Sequence, residues 1–379
     1  THDPMVASPT IRKARATRVP EEQTQVVYDS QTLIAISIEN KGVVVLTKDE
    51  QQEPVLAYCQ AQIDDTLPEG LLWWLETMQQ TLQAKTVRRI VNEKKTPVLP
   101  FIRTQWGQNA PYNNDLIHYD SGNEYDFLTG CIATAMAQVM KYYEYPEKGI
   151  GSNSYTVNYA NISPVTFSSD FASHTYQWQR MREVYSAPLT YTDAENAAVA
   201  MLFRDCGISV NMTYSTAASS AYSSNIKVAL VNNFGYSSQI SYEQRSNYSD
   251  EQWMALIYTE LDQRRPVIYS GQSPNGGHAF ILDGYDSDGL VHVNWGWEGA
   301  WNGYFDMSVL KPNDTNGPYS SSQDAVINIQ PPTASQTLSG VDIDGLRYSL
   351  DDYSKTATVV RGDYAFSNLT IPQEVTYQQ

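Results

Sequence analysis

One cysteine, one histidine and a few amides and indoles hold most of the chemistry open to this chain. Cys131 follows Thr129-Gly130 and opens the stretch Ile132-Ala133-Thr134-Ala135-Met136-Ala137-Gln138, which reads as a helix. A helix N-terminus carries partial positive charge, which lowers a thiol pKa and favours the nucleophilic thiolate. Alone, Cys131 also fits the commoner use of a free cysteine, a small buried hydrophobe. His278 follows Gly276-Gly277 and starts the apolar run Ala279-Phe280-Ile281-Leu282. Glycines there let another backbone or a ligand come close. A strand-edge histidine facing a helix-start cysteine can take the thiol proton and later give one to a leaving amine. The plain alternative is a hydrogen-bonded core histidine. Gln108 lies 23 residues before Cys131 in Trp106-Gly107-Gln108-Asn109, and a side-chain amide beside a backbone N–H can stabilise an oxyanion. After His278 comes Asn294-Trp295-Gly296-Trp297, able to orient and dry an imidazole or simply to fill a core. His278, Asp283 and His292 lack the ligand spacing of a metal site.

Positioning these groups requires particular elements. Apolar residues at Ile132, Ala135, Met136, Val139, Met140 and Tyr143 give a helix that buries one face and ends near Tyr145-Pro146. Further helices are expected over 192–206, stopped by Gly207, over 224–234, and over 249–263 with Ser249 or Asp250 as cap. Beyond Pro266 the pattern turns to strands over 267–269, 278–282, 291–295, 304–307 and 325–329. Helices first and antiparallel strands afterwards is an α+β order. Ahead of all this, 32–38 and 43–47 read as a hairpin around Asn40-Lys41-Gly42. Leu71, Trp74, Leu75 and Met78 repeat at helical spacing. Lys85, Arg88, Arg89, Lys94 and Lys95 then mark an exposed basic linker of the kind proteases cut. After Pro331-Pro332 the tail reads as a small β element.

At 379 residues the chain is long enough for two or three domains. The net charge of −17 argues against nucleic acid, which needs clustered Lys and Arg. Residues 1–95 carry 11 basic and 13 acidic groups, so most of the negative charge belongs to the remainder. No apolar run is long enough to span a membrane. Three cysteines make no disulfide framework. The start at Thr1-His2-Asp3 has no leader pattern; a secreted protein supplied without its signal peptide would look the same. The 27 tyrosines and low charged content suit an extracellular setting.

The words Gly130-Cys131-Ile132-Ala133-Thr134-Ala135, Gly276-Gly277-His278-Ala279-Phe280 and His292-Val293-Asn294-Trp295-Gly296-Trp297, in that order, resemble the streptopain family of papain-clan cysteine peptidases. Met140-Lys141-Tyr142 and Asp205-Cys206-Gly207 add to the likeness, which spans about residues 97–330. It implies an α+β, papain-like catalytic domain over 96–332, made of a helical half and an antiparallel β half. An inhibitory pro-domain and processing linker would occupy 1–95, and a β extension 333–379, where Leu369-Thr370-Ile371-Pro372 looks like the start of a surface repeat. Carried over, Cys131 is the nucleophile, His278 the general base and acid, and Gln108 the oxyanion donor. Trp295 takes the place of the asparagine that orients histidine in papain, with Asn294 the competing choice. Trp297, Gly276 and Gly277 would line the substrate site. No cofactor is implied. The expected partners are protein and peptide substrates and the chain's own pro-domain, in a secreted or surface-bound bacterial enzyme. Two other readings remain at this point. One is a non-catalytic adhesion module on a peptidase scaffold. The other is acyl transfer of the transglutaminase kind, which usually wants an acidic third residue.

Overall fold

The structure of the chain, a computed structural model, describes residues 24–38, 42–49, 54–59, 69–83, 95–186, 189–273, 276–307, 323–332, 337–343, 346–351 and 356–359. The basic cluster at 12–18, all but the end of the 84–96 linker, the loop 308–322 and the tail after Val359 lie outside these residues.

A meander opens the chain: β1 (Thr24–Asp29), β2 (Leu33–Ile38), β3 (Gly42–Thr47) and β4 (Val55–Cys59). β2 alternates buried and half-buried side chains, as a half-covered strand should. Two short ribbons follow, β5 (Ile117–Asp120) with β6 (Asn123–Asp126), and β7 (Asn153–Val157) with β8 (Val165–Ser169). The remaining strands of the main body are β9 (Ser241–Gln244), β10 (Val267–Ser273), β11 (Gly276–Tyr285), β12 (Val291–Asn294), β13 (Gly303–Phe305) and β14 (Asp324–Ile327). One ten-stranded sheet results, in the order β1-β2-β3-β4-β13-β12-β11-β10-β14-β9. In β11 the run from His278 to Tyr285 is buried throughout, because this strand lies inside the sheet and is packed by helices.

The helices are α1 (Glu69–Gln83), α2 (Cys131–Tyr143), α3 (Asp193–Ser209), α4 (Ser224–Asn232) and α5 (Asp250–Asp262). Capping boxes start α3 (Thr192 with Glu195) and α5 (Ser249 with Gln252), so Ser249 is the cap of α5. Two expectations need correction. α3 does not stop at Gly207 but runs through it, and the Tyr214 hydroxyl fills the space a Cβ at Gly207 would need. α2 does not bury one face only: every residue from Ile132 to Met140 is buried, because the helix packs against β11 on one side and α3 on another.

The N-terminal meander is continuous with the rest of the sheet. β4 pairs antiparallel with β13 in the register Cys59↔Gly303, Tyr58↔Tyr304 and Ala57↔Phe305. α1 packs on β10 and β11, with Trp74, Leu75 and Met78 essentially inaccessible. At the other end β15 (Thr337–Ile343), β16 (Leu346–Asp351) and β17 (Thr356–Val359) form a three-stranded sheet. Arg347 of β16 pairs with Glu183, and β15 packs against α2. No helix among the described residues is long and apolar enough to cross a membrane.

Candidate active site

Cys131 is the first residue of α2 and is partly buried. Its N-cap, Gly130, has φ 86°, and a Cβ there would lie 2.8 Å from Met212 Cε and 3.2 Å from Ser219 Cβ. Glycine answers both demands. Gly130 has no side chain to cap this helix start, and the helix N-terminus sets its partial positive charge beside the sulfur.

Gln108 is buried, and its carbonyl accepts the Thr129 N–H at 3.2 Å, tying the loop to the segment that leads into Cys131. The Thr134 hydroxyl, one turn into α2, lies 3.0 Å from Gly130 O and 3.4 Å from Gly107 O. The Gln108 loop is therefore fixed to the helix that carries the thiol.

His278 sits on β11 opposite Gly271 of β10. Its Nε2 is 2.8 Å from the carbonyl oxygen of Trp295. A carbonyl only accepts, so Nε2 carries the hydrogen, and Nδ1 of the neutral ring keeps its lone pair. The imidazole stacks with Trp297 at 5.9 Å between centroids and with Trp295 at 6.4 Å. Burial pushes its pKa down to about 4, against the opposing pull of the Trp295 carbonyl.

Asn294 does not bond the histidine. Its Nδ2 donates to Thr104 O at 2.9 Å, and its Oδ1 accepts the Gly296 N–H at 3.1 Å. That second bond reaches His278 indirectly. In a trans peptide the N–H and C=O point in opposite directions. Holding the Gly296 N–H therefore aims the carbonyl of Trp295, in the same peptide unit, at Nε2. Asn302 Oδ1 fixes the other side of the residue by accepting the Trp295 N–H at 3.0 Å.

Gln138 supports this arrangement from α2. Its Oε1 accepts from Thr104 Oγ1 at 2.9 Å, Asn294 Nδ2 at 3.2 Å and Trp106 N at 3.3 Å, while its Nε2 lies 3.4 Å from Asn294 Oδ1. One buried amide thus links the thiol helix, the segment entering the Gln108 loop and the peptide that faces His278. Sequence reasoning passed over both Gln138 and Asn302. A signal for Gln138 existed: a polar amide seven residues after Cys131, two turns along the same face of an otherwise apolar helix.

An aromatic chain leads from this centre to the N-terminal block. Trp74 of α1 meets Phe305 edge-on at 5.1 Å, and Phe305 meets Trp295 edge-on at 5.1 Å. The Trp74 Nε1 donates to Asp306 O at 3.2 Å. Gly276 and Gly277 form the outer end of β11, paired with Ser273 and Gln272. Asp283 and His292 bond each other at 2.5 Å, and Asp283 also accepts the Ile102 N–H. They anchor the 100–102 segment and stand apart from His278.

The chain is similar to known proteins. Residues 106–305 match the peptidase C10 family. The chain belongs to that family. Streptopain from Streptococcus pyogenes is 31% identical over 328 residues, covering 78% of this chain and 80% of that protein. The thiol protease/hemagglutinin PrtT of Porphyromonas gingivalis is 29% identical over 357 residues, 86% of this chain but 40% of its own length. Among solved structures, a mutant fragment of Prevotella intermedia prointerpain A aligns with TM-score 0.71 and 32% identity, over 80% of this chain and 97% of that one. Active interpain A from the same organism aligns with TM-score 0.55 and 38% identity, over 64% of this chain and 98% of its own. This C10 protein is a cysteine peptidase with a papain-like α+β fold.

Proposed function

We propose that this chain is the pro-form of a secreted bacterial C10 endopeptidase whose reacting groups are Cys131, His278 and Gln108. The observation that carries the reading is the hydrogen bond from His278 Nε2–H to the Trp295 carbonyl. It leaves the Nδ1 lone pair as the base for the thiol that opens α2. Nδ1 takes the Cys131 proton, the thiolate adds to the scissile carbonyl, and the oxyanion is met by the Gln108 amide and the Cys131 backbone N–H. The imidazolium returns its proton to the leaving amine, and the acyl–sulfur bond remains. Water then adds to that thioester with His278 as base, releasing the acid and the thiol. Trp295 orients the ring through its backbone, Asn294 steers that backbone, and Trp297 shields the outer face of the imidazole. Gly276 and Gly277 let substrate backbone approach beside β11.

Residues 1–95 are read as the pro-domain and its linker, 96–332 as the catalytic domain and 333–379 as an extension. Support for the pro-form comes from the larger share of this chain that aligns with prointerpain A than with active interpain A. The packing of α1 on β10 and β11 also supports it. Physically, a block that covers the histidine strand keeps water from the imidazole. With its pKa near 4, the ring resists becoming the imidazolium half of an ion pair. Releasing the block readmits water and raises that pKa. The homology to streptopain and the acidic, tyrosine-rich composition support secretion.

The test is Cys131→Ala beside the natural chain, followed by gel shift and N-terminal sequencing of any shorter product. The natural chain should shorten itself and cleave casein, and the variant should do neither. Self-shortening by the variant, in the absence of another protease, would overturn the assignment.

A further inference from the structure

The loop after Trp297 carries a carboxylate that the reaction as written does not use. Glu298 has φ 54° and is exposed. Its backbone N–H donates to Trp106 O at 3.2 Å. The side chain then folds back over Gly107, the residue before Gln108: a Cβ at Gly107 would lie 2.7 Å from Glu298 Cγ and 3.0 Å from Oε1. The neighbouring glycine works the same way in reverse, since a Cβ at Gly299 would lie 2.7 Å from Gln105 Cδ. Each loop's side chain occupies the room left by the other's glycine, which fixes Glu298 on the lip beside the Gln108 loop. Among the described residues no lysine, arginine or histidine pairs with this carboxylate.

Which part of a substrate meets that lip follows from the chemistry. The histidine protonates the leaving amine, so the residue that owns this amine must lie against the outer flank of the imidazole. Trp295 closes the inner side, with no exposed surface, and the half-exposed Trp297 forms the outer side. Glu298 is the next residue. It therefore stands between the wall that receives the leaving side and the loop that receives the oxyanion. A carboxylate in that position attracts cations and repels anions.

We propose that Glu298 is a specificity-determining residue that favours lysine or arginine immediately C-terminal to the scissile bond and disfavours aspartate and glutamate there. The inference rests on the Cys131–His278 reading above. The chain itself carries a matching sequence. Its linker over 84–96 contains Lys85, Arg88, Arg89, Lys94 and Lys95 and a single acid, Glu93, so bonds preceding these cations fit the proposed preference.

The experiment uses the full-length chain, incubated until its reactive thiol titrates fully, and three peptides that differ only in the residue after the cleaved bond: lysine, alanine or glutamate. The readout is the ratio of kcat/KM for the lysine peptide to that for the glutamate peptide, taken within each enzyme. We expect a ratio of about 10 or more for the natural chain at low salt, consistent with exposed charge pairs. It should fall toward 1 in Glu298→Gln and below 1 in Glu298→Lys. In the natural chain alone it should shrink severalfold between 0.05 and 0.5 M NaCl, as screening requires (a Debye length of ~10 Å at 0.1 M). Equal cleavage of all three peptides by the natural chain, or an unchanged ratio in Glu298→Gln, overturns this inference and leaves the peptidase reading standing. Failure to cleave any of them, or cleavage by Cys131→Ala, overturns the parent reading and this one with it.

Discussion

Replacing Gln138 with leucine tests whether a buried amide on the thiol helix holds the histidine. Leucine nearly matches glutamine in volume, so the change removes hydrogen bonds without opening a large cavity. The side chain is 1% exposed, and water cannot replace what it supplies. Thr104 Oγ1 and the Trp106 N–H both donate to its Oε1, and each is stranded when that oxygen goes. An unsatisfied buried donor costs about 1–3 kcal/mol, so the two together predict a loss of about 2–6 kcal/mol. Urea unfolding in a Cys131→Ala background, where self-cleavage cannot interfere, measures it.

The kinetic consequence of the same change travels through Asn294. Freed from the amide pair, Asn294 no longer holds the Gly296 N–H firmly, and the Trp295 carbonyl loses its aim at Nε2. A misplaced general base commonly costs about 10- to 100-fold, and the loss should appear in kcat with KM little changed, because no substrate contact is removed. Asn294→Ala should cost a similar factor. The double variant should lose little more than either single change, since both break one linkage. Additive losses, or a Gln138→Leu enzyme within 0.5 kcal/mol and twofold of the parent, would refute the reasoning.

Two further outcomes are expected. The buried His278 stays neutral to about pH 4, whereas an unfolded histidine protonates near 6.5. The unfolded state alone therefore takes up a proton between those values, and stability falls as pH drops through that window by up to about 3 kcal/mol. Urea titrations of Cys131→Ala at pH 7.5 and 4.5 should show this slope, and adding His278→Gln should flatten it; an identical slope in both refutes the assignment. Trp74→Ala removes a fully buried indole from α1 and should weaken docking of the N-terminal block by about 3–5 kcal/mol. In the chain with Cys131 intact, the half-time of self-shortening should drop, and an unchanged half-time would count against an inhibitory role for α1.

Much of this arrangement was legible in the sequence, for identifiable reasons. The helix at Cys131 and the strand at His278 are local patterns, an apolar period and an apolar run, and local patterns survive folding. The α3 end was misread because the reason Gly207 is tolerated inside a helix, the Tyr214 ring, comes from a residue beyond the helix. The one-sided burial expected for α2 failed for a similar cause. Periodicity reports how apolar a face is, while burial depends on what packs around the rest, here β11 and α3. The joining of β4 to β13 was invisible: nothing near residues 55–59 encodes a partner at 303–305. Asn294 and Trp295 could not be separated by spacing, because both reach the same peptide unit: Trp295 bonds the ring through its main chain, and the Asn294 side chain bonds the next N–H.

That division explains why the orienting group is hard to find in any single residue type. A side-chain amide that bonds a histidine directly disappears when it is mutated. A backbone carbonyl remains whatever side chain Trp295 carries, so its identity as acceptor is not written at position 295 at all. What must be specified is the rotation of one peptide plane. That rotation depends on Asn294 at the Gly296 N–H, Asn302 at the Trp295 N–H and Gln138 behind Asn294. The indole of Trp295 has a different task, to dry the ring and to pass packing from Phe305 and Trp74. Orientation and solvation of the same imidazole are thus controlled from separate places, the first by amides on α2 and the 294–302 segment, the second by aromatics reaching into the N-terminal block. The hydrogen-bond partner of the ring and the packing around it therefore come from different parts of the chain.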